Sequence, residues 1–297
     1  MKIAVMGAGA VGCYYGAMLA RAGHDVCMIG RPQHVAAMNT RGLVLETARF
    51  TEALNVRATV EPSGVAEAEL VLFCVKSNDT MEAGNAIAPH LADHAIILSL
   101  QNGVDNAERL QALLKRLVVP VAVYVATDMP AAGHVRHHGR GELVIGPGPA
   151  SIEIAACFEK AGVPAELSHK VVEALWTKLI INCAYNALSA IAQLPYGRMV
   201  EVNGVVETMR DIVGECLEVA TRLGVSLPHD VLETVFGIAA SMPNQLSSTA
   251  QDLARGKITE IDHLNGYVAR KGREVGVPAP ANQTLLAAIK LLENRLT

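Results

Sequence analysis

Residues 7–12 read Gly-Ala-Gly-Ala-Val-Gly, between a short β-branched run, Ile3–Met6, and a helix-like stretch to Ala22. A G-x-G-x-x-G segment in that setting leaves few folds open, because each glycine has its own physical task. Gly7 permits the tight turn, Gly9 lets backbone amides approach a pyrophosphate, and Gly12 lets the helix pack closely on the strand. The helix N-terminus adds a partial positive charge for the phosphates. Gly23 stands where a left-handed cap ends that helix. The bland alternative is a glycine-rich turn that binds nothing. Residues 3–20 carry no charge, which imitates the apolar core of a secretion signal. Gly7, Gly9, Gly12 and Gly16 lie inside it and weaken such a helix. A nucleotide-binding loop accounts for them better, so the expectation is a mature, cytoplasmic start.

The first half continues the same alternation. Val26–Ile29, Leu70–Val75, Ala95–Leu100 and Val118–Tyr124 are short apolar runs that read as buried strands of a parallel sheet. Gly42–Val60 carries two further extended pieces, Leu143–Gly146 closes the half, and a helix follows near Ser151–Ala161. Strands alternating with helices define a doubly wound, Rossmann-type α/β domain. From about Ser168 the pattern turns helical: Glu173–Gln193, Val202–Leu223, His229–Met242, Ser247–Gly256 and Lys257–Gly276, broken at Leu-Pro, Met-Pro and Val-Pro pairs. The expected organisation is a Rossmann domain over 1–167 and an all-helical domain over 168–297. A chain of 297 residues fits two domains.

Composition narrows the function classes. Charged residues are 18% of the chain, against about 25% in ordinary globular proteins. Part of the surface is therefore expected to face a second copy, as a homodimer through the helical domain. With 25 Lys and Arg against 29 Asp and Glu, no broad cationic field exists to hold nucleic acid or an anionic membrane. Six scattered cysteines without a C-x-x-C pair point to a reducing compartment rather than a disulfide framework or zinc site.

After the second strand the chain reads Gly30-Arg31-Pro32, with no acid between Val26 and Val35. NAD sites place a carboxylate near there for the ribose 2′-hydroxyl; an arginine instead pairs with a 2′-phosphate, which favours NADP. The ordinary reading of Arg31 is a solvated loop cation. Lys76 and Asn102 follow the third and fourth strands, at the carboxyl ends where such sheets bind ligands. Lys76 could address cofactor or substrate anions, and Asn102 the substrate or nicotinamide ribose; either could equally be loop chemistry, since Asn-Gly is a turn pair. In the helical half, Lys178, Asn182 and Asn186 are spaced i, i+4, i+8 and share one helix face. Asn is a poor helix former for a solvated edge, so this face is read as the lining of a cleft. Glu260, expected in the first turn of the Lys257–Gly276 helix, either complements the helix dipole or faces the cleft and orients Lys178. Ser248 is open in the same way. His134, His137 and His138 lack a supporting acid or cysteine at ligand spacing, and no metal site is expected.

Taken together, Gly7–Gly12, Lys76, Asn102, the Lys178–Asn182–Asn186 helix, Ser248, Glu260-Ile261-Asp262 and the tail Gly276–Asn282 resemble the ketopantoate reductase family over nearly the whole chain. The resemblance implies NADPH-dependent reduction of 2-dehydropantoate to (R)-pantoate, on the route to pantothenate and coenzyme A. It implies Lys178 as general acid, with Glu260 beside it and the cofactor. It further implies a cofactor site of Gly7, Ala8, Gly9, Ala10, Val11, Gly12, Arg31, Lys76, Asn102, Ala126 and Glu260. The implied substrate site is Asn102, Lys178, Asn182, Asn186 and Ser248. The chemistry is coherent: hydride arriving at a ketone carbon leaves charge on oxygen, which a lysine ammonium can stabilise and then protonate. Two positions depart from the family pattern: Tyr196 and Gln245 stand where some members carry Asn. A family paralogue acting on a different 2-oxo or 3-oxo acid therefore stays open, as does a non-catalytic NADP-binding sensor.

Overall fold

The computed structural model describes residues 1–295. They divide into a first compact unit, Met1–Val171, and a second from Val172 onward. The first comprises β1 (Lys2–Met6), α1 (Ala10–Arg21), β2 (Asp25–Ile29), α2 (Pro32–Arg41), β3 (Leu43–Glu46), β4 (Thr51–Leu54), β5 (Arg57–Thr59) and β6 (Leu70–Phe73). It continues with α3 (Thr80–Ile87), β7 (Ile96–Ser99), α4 (Asn106–Leu114), β8 (Val118–Ala131), β9 (His134–Ile145), α5 (Ser151–Lys160) and β10 (Ala165–Leu167). The strands lie in the order β4-β3-β9-β8-β7-β6-β1-β2-β5, with β10 on β9.

Successive residues of the central strands point to opposite cores, the signature of a sheet covered on both faces. Ile3, Val5, Leu70 and Leu72 join one buried cluster with Cys13, Tyr15 and Leu19 of α1 and Phe158 of α5. Ala4, Val71 and Phe73 join another with Ala83 and Ile87 of α3 and Leu110 of α4. That is the doubly wound α/β architecture.

Three expectations change. The sheet is mixed, not parallel throughout: β8 runs antiparallel to β9, and β3 to β4. The runs at Val118–Tyr124 and Leu143–Gly146 are two ends of one long hairpin, whose middle is too rich in His, Arg and Gly to read as a strand. Register shifts interrupt its pairing, and Gly139 and Gly141 take φ of 155° and 140°. The run Leu70–Val75 stops being a strand at Phe73, because Cys74 and Val75 turn against the glycine loop.

The second unit contains α6 (Val171–Ala192), whose first residue belongs to the first unit, and α7 (Tyr196–Met199), α8 (Val205–Arg222), α9 (Val231–Ser241), α10 (Ser248–Ala254), α11 (Asn265–Val275) and α12 (Pro280–Asn294). No strand occurs among its described residues. The single helix expected over Lys257–Gly276 is broken: a 3₁₀ turn covers Ile261–His263, and Leu264 takes φ −110°, ψ −106° before α11 begins. Asn265 then spends its side chain on tertiary partners, donating to the Cys183 carbonyl of α6 at 3.1 Å and to Asn282 Oδ1 of α12 at 2.9 Å. Among the described residues, no helix is long and apolar enough to cross a membrane.

Candidate active site

In the first unit the expected cofactor residues collect at the carboxyl ends of the parallel strands. The glycine loop follows β1, and the amides of Gly7 and Ala8 both donate to the Ile29 carbonyl at 3.0 Å. Arg31 is exposed and caps the N-terminus of α2 two residues after β2. Lys76 follows β6 and Asn102 follows β7; both are half-buried. Ala126 lies further along β8, on the arm paired with β9 opposite Gly139.

The glycines divide by cause. Gly7 takes φ +109°, and a Cβ there would lie 2.6 Å from the Val75 amide nitrogen. At Gly12 a Cβ would lie 2.2 Å from the Gly7 carbonyl oxygen and 2.9 Å from Val5 Cγ1. Gly9 is different: its backbone is extended, and nothing in the protein lies within 4 Å of a Cβ built there. Folding therefore asks for glycine at Gly7 and Gly12. The open space at Gly9, beside the N-terminus of α1, is where a Cβ would stand in the way of a bound pyrophosphate. These residues fit a dinucleotide. Gly30, which sequence reasoning passed over, belongs here too, since a Cβ would come 2.5 Å from that of Ala8.

A buried polar cluster that sequence reasoning missed joins the Lys76 and Asn102 loops. Ser77, Thr80, Gln101 and Asn106 are all at most 5% exposed. Ser77 Oγ donates to the Asn102 carbonyl at 2.8 Å, and Asn106 Nδ2 donates to both Ser77 Oγ and that carbonyl. Gln101 Nε2 bridges the Thr80 hydroxyl at 2.8 Å and the Val75 carbonyl at 3.2 Å. The available signal was spacing: Asn106 is four residues after Asn102, on the first turn of α4. Asn106→Ala orphans buried groups on both loops and is expected to cost about 1–3 kcal/mol in urea unfolding. Dinucleotide titration of the folded variant should show weakened binding; unchanged stability and binding would mean the cluster holds neither loop.

In the second unit, Lys178, Asn182 and Asn186 lie on α6, the first two half-buried and Asn186 buried. Two other elements dock on the same helix. Ser247, the N-cap of α10, donates its hydroxyl to the Asn186 carbonyl at 3.0 Å and accepts from the Ala250 amide at 3.0 Å. That consumes Ser247 and leaves its neighbour Ser248 exposed at the first position of α10. The start of α11 reaches α6 through Asn265 and Cys183, five residues after half-buried Glu260. Glu260 is thus no first-turn acid of a long helix but stands just before the 3₁₀ turn.

Tyr196 and Gln245 adjoin one another. The Tyr196 amide donates to the Gln245 carbonyl at 3.0 Å. The Tyr196 ring is buried 4.7 Å from that of Tyr185, its hydroxyl is 3.4 Å from Asn186 Oδ1, and burial raises its phenol pKa. The three histidines take separate partners: His134 meets Glu46 at 2.8 Å, His138 meets Asp128 at 2.8 Å, and His137 stacks on Tyr14 at 4.6 Å. Among the described residues, no group of three or more His, Cys, Asp or Glu is placed to hold a metal ion.

The chain, a nucleotide-fold unit followed by a helical unit, is an oxidoreductase. The model for "Ketopantoate reductase PanE/ApbA" matches residues 3–150, and the model for the C-terminal part of the same family matches 170–293. The chain belongs to the ketopantoate reductase family. The 2-dehydropantoate 2-reductase of Pyrococcus horikoshii is 31% identical over 99% of this chain and 98% of its own length. That of Halobacterium salinarum is 32% identical, over 99% of each. Among solved structures, a PanE/ApbA family ketopantoate reductase from Ralstonia eutropha superposes with a TM-score of 0.98 at 58% identity, covering 100% of this chain and 99% of that one. A D-mandelate dehydrogenase, solved with NADH and anilino(oxo)acetate, shares the fold at a TM-score of 0.91 and 24% identity, over 100% and 99% of the two chains.

Proposed function

We propose that this oxidoreductase reduces 2-dehydropantoate to (R)-pantoate with NADPH, in pantothenate and coenzyme A biosynthesis. The observation that carries the reading is the α6 face of Lys178, Asn182 and Asn186, with α10 and the start of α11 docked on the same helix. Full-length relatives named for this reaction support it. In this reading the glycine loop, Lys76, Asn102 and Ala126 hold a nicotinamide dinucleotide, which supplies the hydride when bound. Lys178 stabilises the charge that develops on the ketone oxygen and transfers its proton there, giving the alcohol. Asn182, Asn186 and Ser248 hold the carboxylate and hydroxyl of the acid by neutral hydrogen bonds, without adding a buried charge. Glu260 orients Lys178.

Arg31 supports NADPH over NADH, because an exposed guanidinium at the N-terminus of α2 would meet a 2′-phosphate. Arg31→Ala is expected to weaken NADPH binding by about tenfold or more, the loss of a charge-assisted contact, and to leave NADH binding nearly unchanged. Equal losses for both cofactors would take Arg31 out of phosphate recognition.

A second reading keeps the mechanism and changes the acid. It is favoured by Tyr196, a buried phenol whose hydroxyl lies 3.4 Å from Asn186 Oδ1, on a residue assigned here to the substrate. No observation favours a non-catalytic sensor. A cytoplasmic homodimer goes with either reading, and the low charged fraction of 18% supports association of copies. The deciding experiment is NADPH oxidation by the purified protein with 2-dehydropantoate and a panel of other 2-oxo acids. A kcat/KM of about 10⁴ M⁻¹s⁻¹ or more on 2-dehydropantoate is the expected result. Turnover confined to another acid would move the assignment to the second reading; cofactor binding without turnover on any acid would sink both.

A further inference from the structure

We infer that Glu293, near the end of α12, is a positioning residue that holds Glu260 in place. The inference rests on the role proposed for Glu260 above. The Glu293 side chain is only 5% exposed. Its Oε1 accepts from the Thr259 amide at 2.8 Å and from the Thr259 hydroxyl at 2.6 Å. The same hydroxyl accepts from the Ile261 amide at 3.2 Å. Lys290, one turn earlier on α12, pairs with Glu293 Oε2 at 3.2 Å and also with Asp262. The residues on both sides of Glu260 are therefore tied to the last turns of α12, through Thr259 before it and Asp262 after it, while the Ile261 amide closes on the Thr259 hydroxyl.

A buried carboxylate is costly unless donors surround it. Here an amide, a hydroxyl and an ammonium do so, and what they secure is a short stretch of irregular backbone. The local sequence, Lys257 to Gly276, has the pattern of a continuous helix. The Glu293 clamp holds Thr259 outside any helix, and Glu260, at φ −97° and ψ 22°, stands directly before the 3₁₀ turn. In this way α12, which carries none of the proposed site residues, sets where the Glu260 carboxylate stands.

The test is a set of double-mutant cycles on NADPH-dependent turnover of the accepted 2-oxo acid, with thermal melts of every variant. Glu293→Ala is expected to lower kcat/KM by about tenfold in the wild-type background and by less than about twofold once Glu260→Gln is present, because coupled sites are not additive. Glu293→Gln, whose amide oxygen can still accept from Thr259, should recover most of the loss. Thr259→Val deletes the hydroxyl, both a donor to Glu293 and the acceptor of the Ile261 amide, with little change of shape; it is expected to show a smaller loss that also vanishes in the Glu260→Gln background, and it keeps the test open should Glu293→Ala fail to fold. Equal losses in both backgrounds would make Glu293 a purely structural residue and overturn the inference while leaving the proposed reaction intact. If Glu260→Gln alone leaves kcat/KM unchanged, the role of Glu260 and this inference fall together. A wild type that turns over no 2-oxo acid would instead refute the proposed function itself.

Discussion

Lys178→Ala is expected to lower kcat by about 10²–10⁴-fold, the usual range for loss of a positioned general acid. Cofactor binding should stay near the wild-type value, since the glycine loop and Arg31 belong to the other unit. The helix itself should survive, because alanine is the best helix former and buried Trp176, Leu179 and Ile180 around position 178 keep α6 packed. Lys178→Arg offers a sharper contrast. A guanidinium keeps a positive charge beside the ketone oxygen but does not release a proton near neutral pH. Its expected signature is retained substrate binding with little recovery of kcat. Single-turnover rates beside cofactor titrations separate these effects, and a near-normal kcat for Lys178→Ala would remove this lysine from the mechanism.

The second large effect is a dissociation of binding from folding within one loop. Gly9→Ala is expected to leave stability within about 0.5 kcal/mol of the wild type, as for substitutions that touch nothing. Its backbone is already extended, and the new Cβ meets no protein atom within 4 Å. Affinity for NADPH should nevertheless fall by about tenfold or more, because the methyl group holds the pyrophosphate away from the amides. Gly12→Ala should fail differently. Its Cβ would press on the Gly7 carbonyl oxygen at 2.2 Å, so α1 must shift from β1, at a cost of about 1–3 kcal/mol or more. Melting curves and NADPH fluorescence titrations of the two variants, run together, provide the comparison. Full affinity in Gly9→Ala would mean that the loop does not cradle a phosphate.

What could be read along the chain was whatever short-range physics dictates. Gly7, Gly9 and Gly12 announce a strand-loop-helix unit because their spacing is set by backbone sterics within six residues. Lys178, Asn182 and Asn186 announce a shared face because the helical repeat puts them there. Alternation of short apolar runs with helical stretches was enough for a doubly wound domain followed by helices. The tertiary structure decided everything that depends on partners distant in sequence. The polar middle of the β8–β9 hairpin is a strand because another strand pairs with it, not because its own residues favour one. The adjacent serines at 247 and 248 look alike in sequence; only the docking of α10 on α6 turns the first into a cap and leaves the second exposed. Thr259 leaves an otherwise helical pattern because Glu293, 34 residues away, receives its amide and hydroxyl. Local propensities are worth tenths of a kcal/mol per residue, whereas a buried carboxylate left without its donors costs several, so where the two conflict the distant partner prevails.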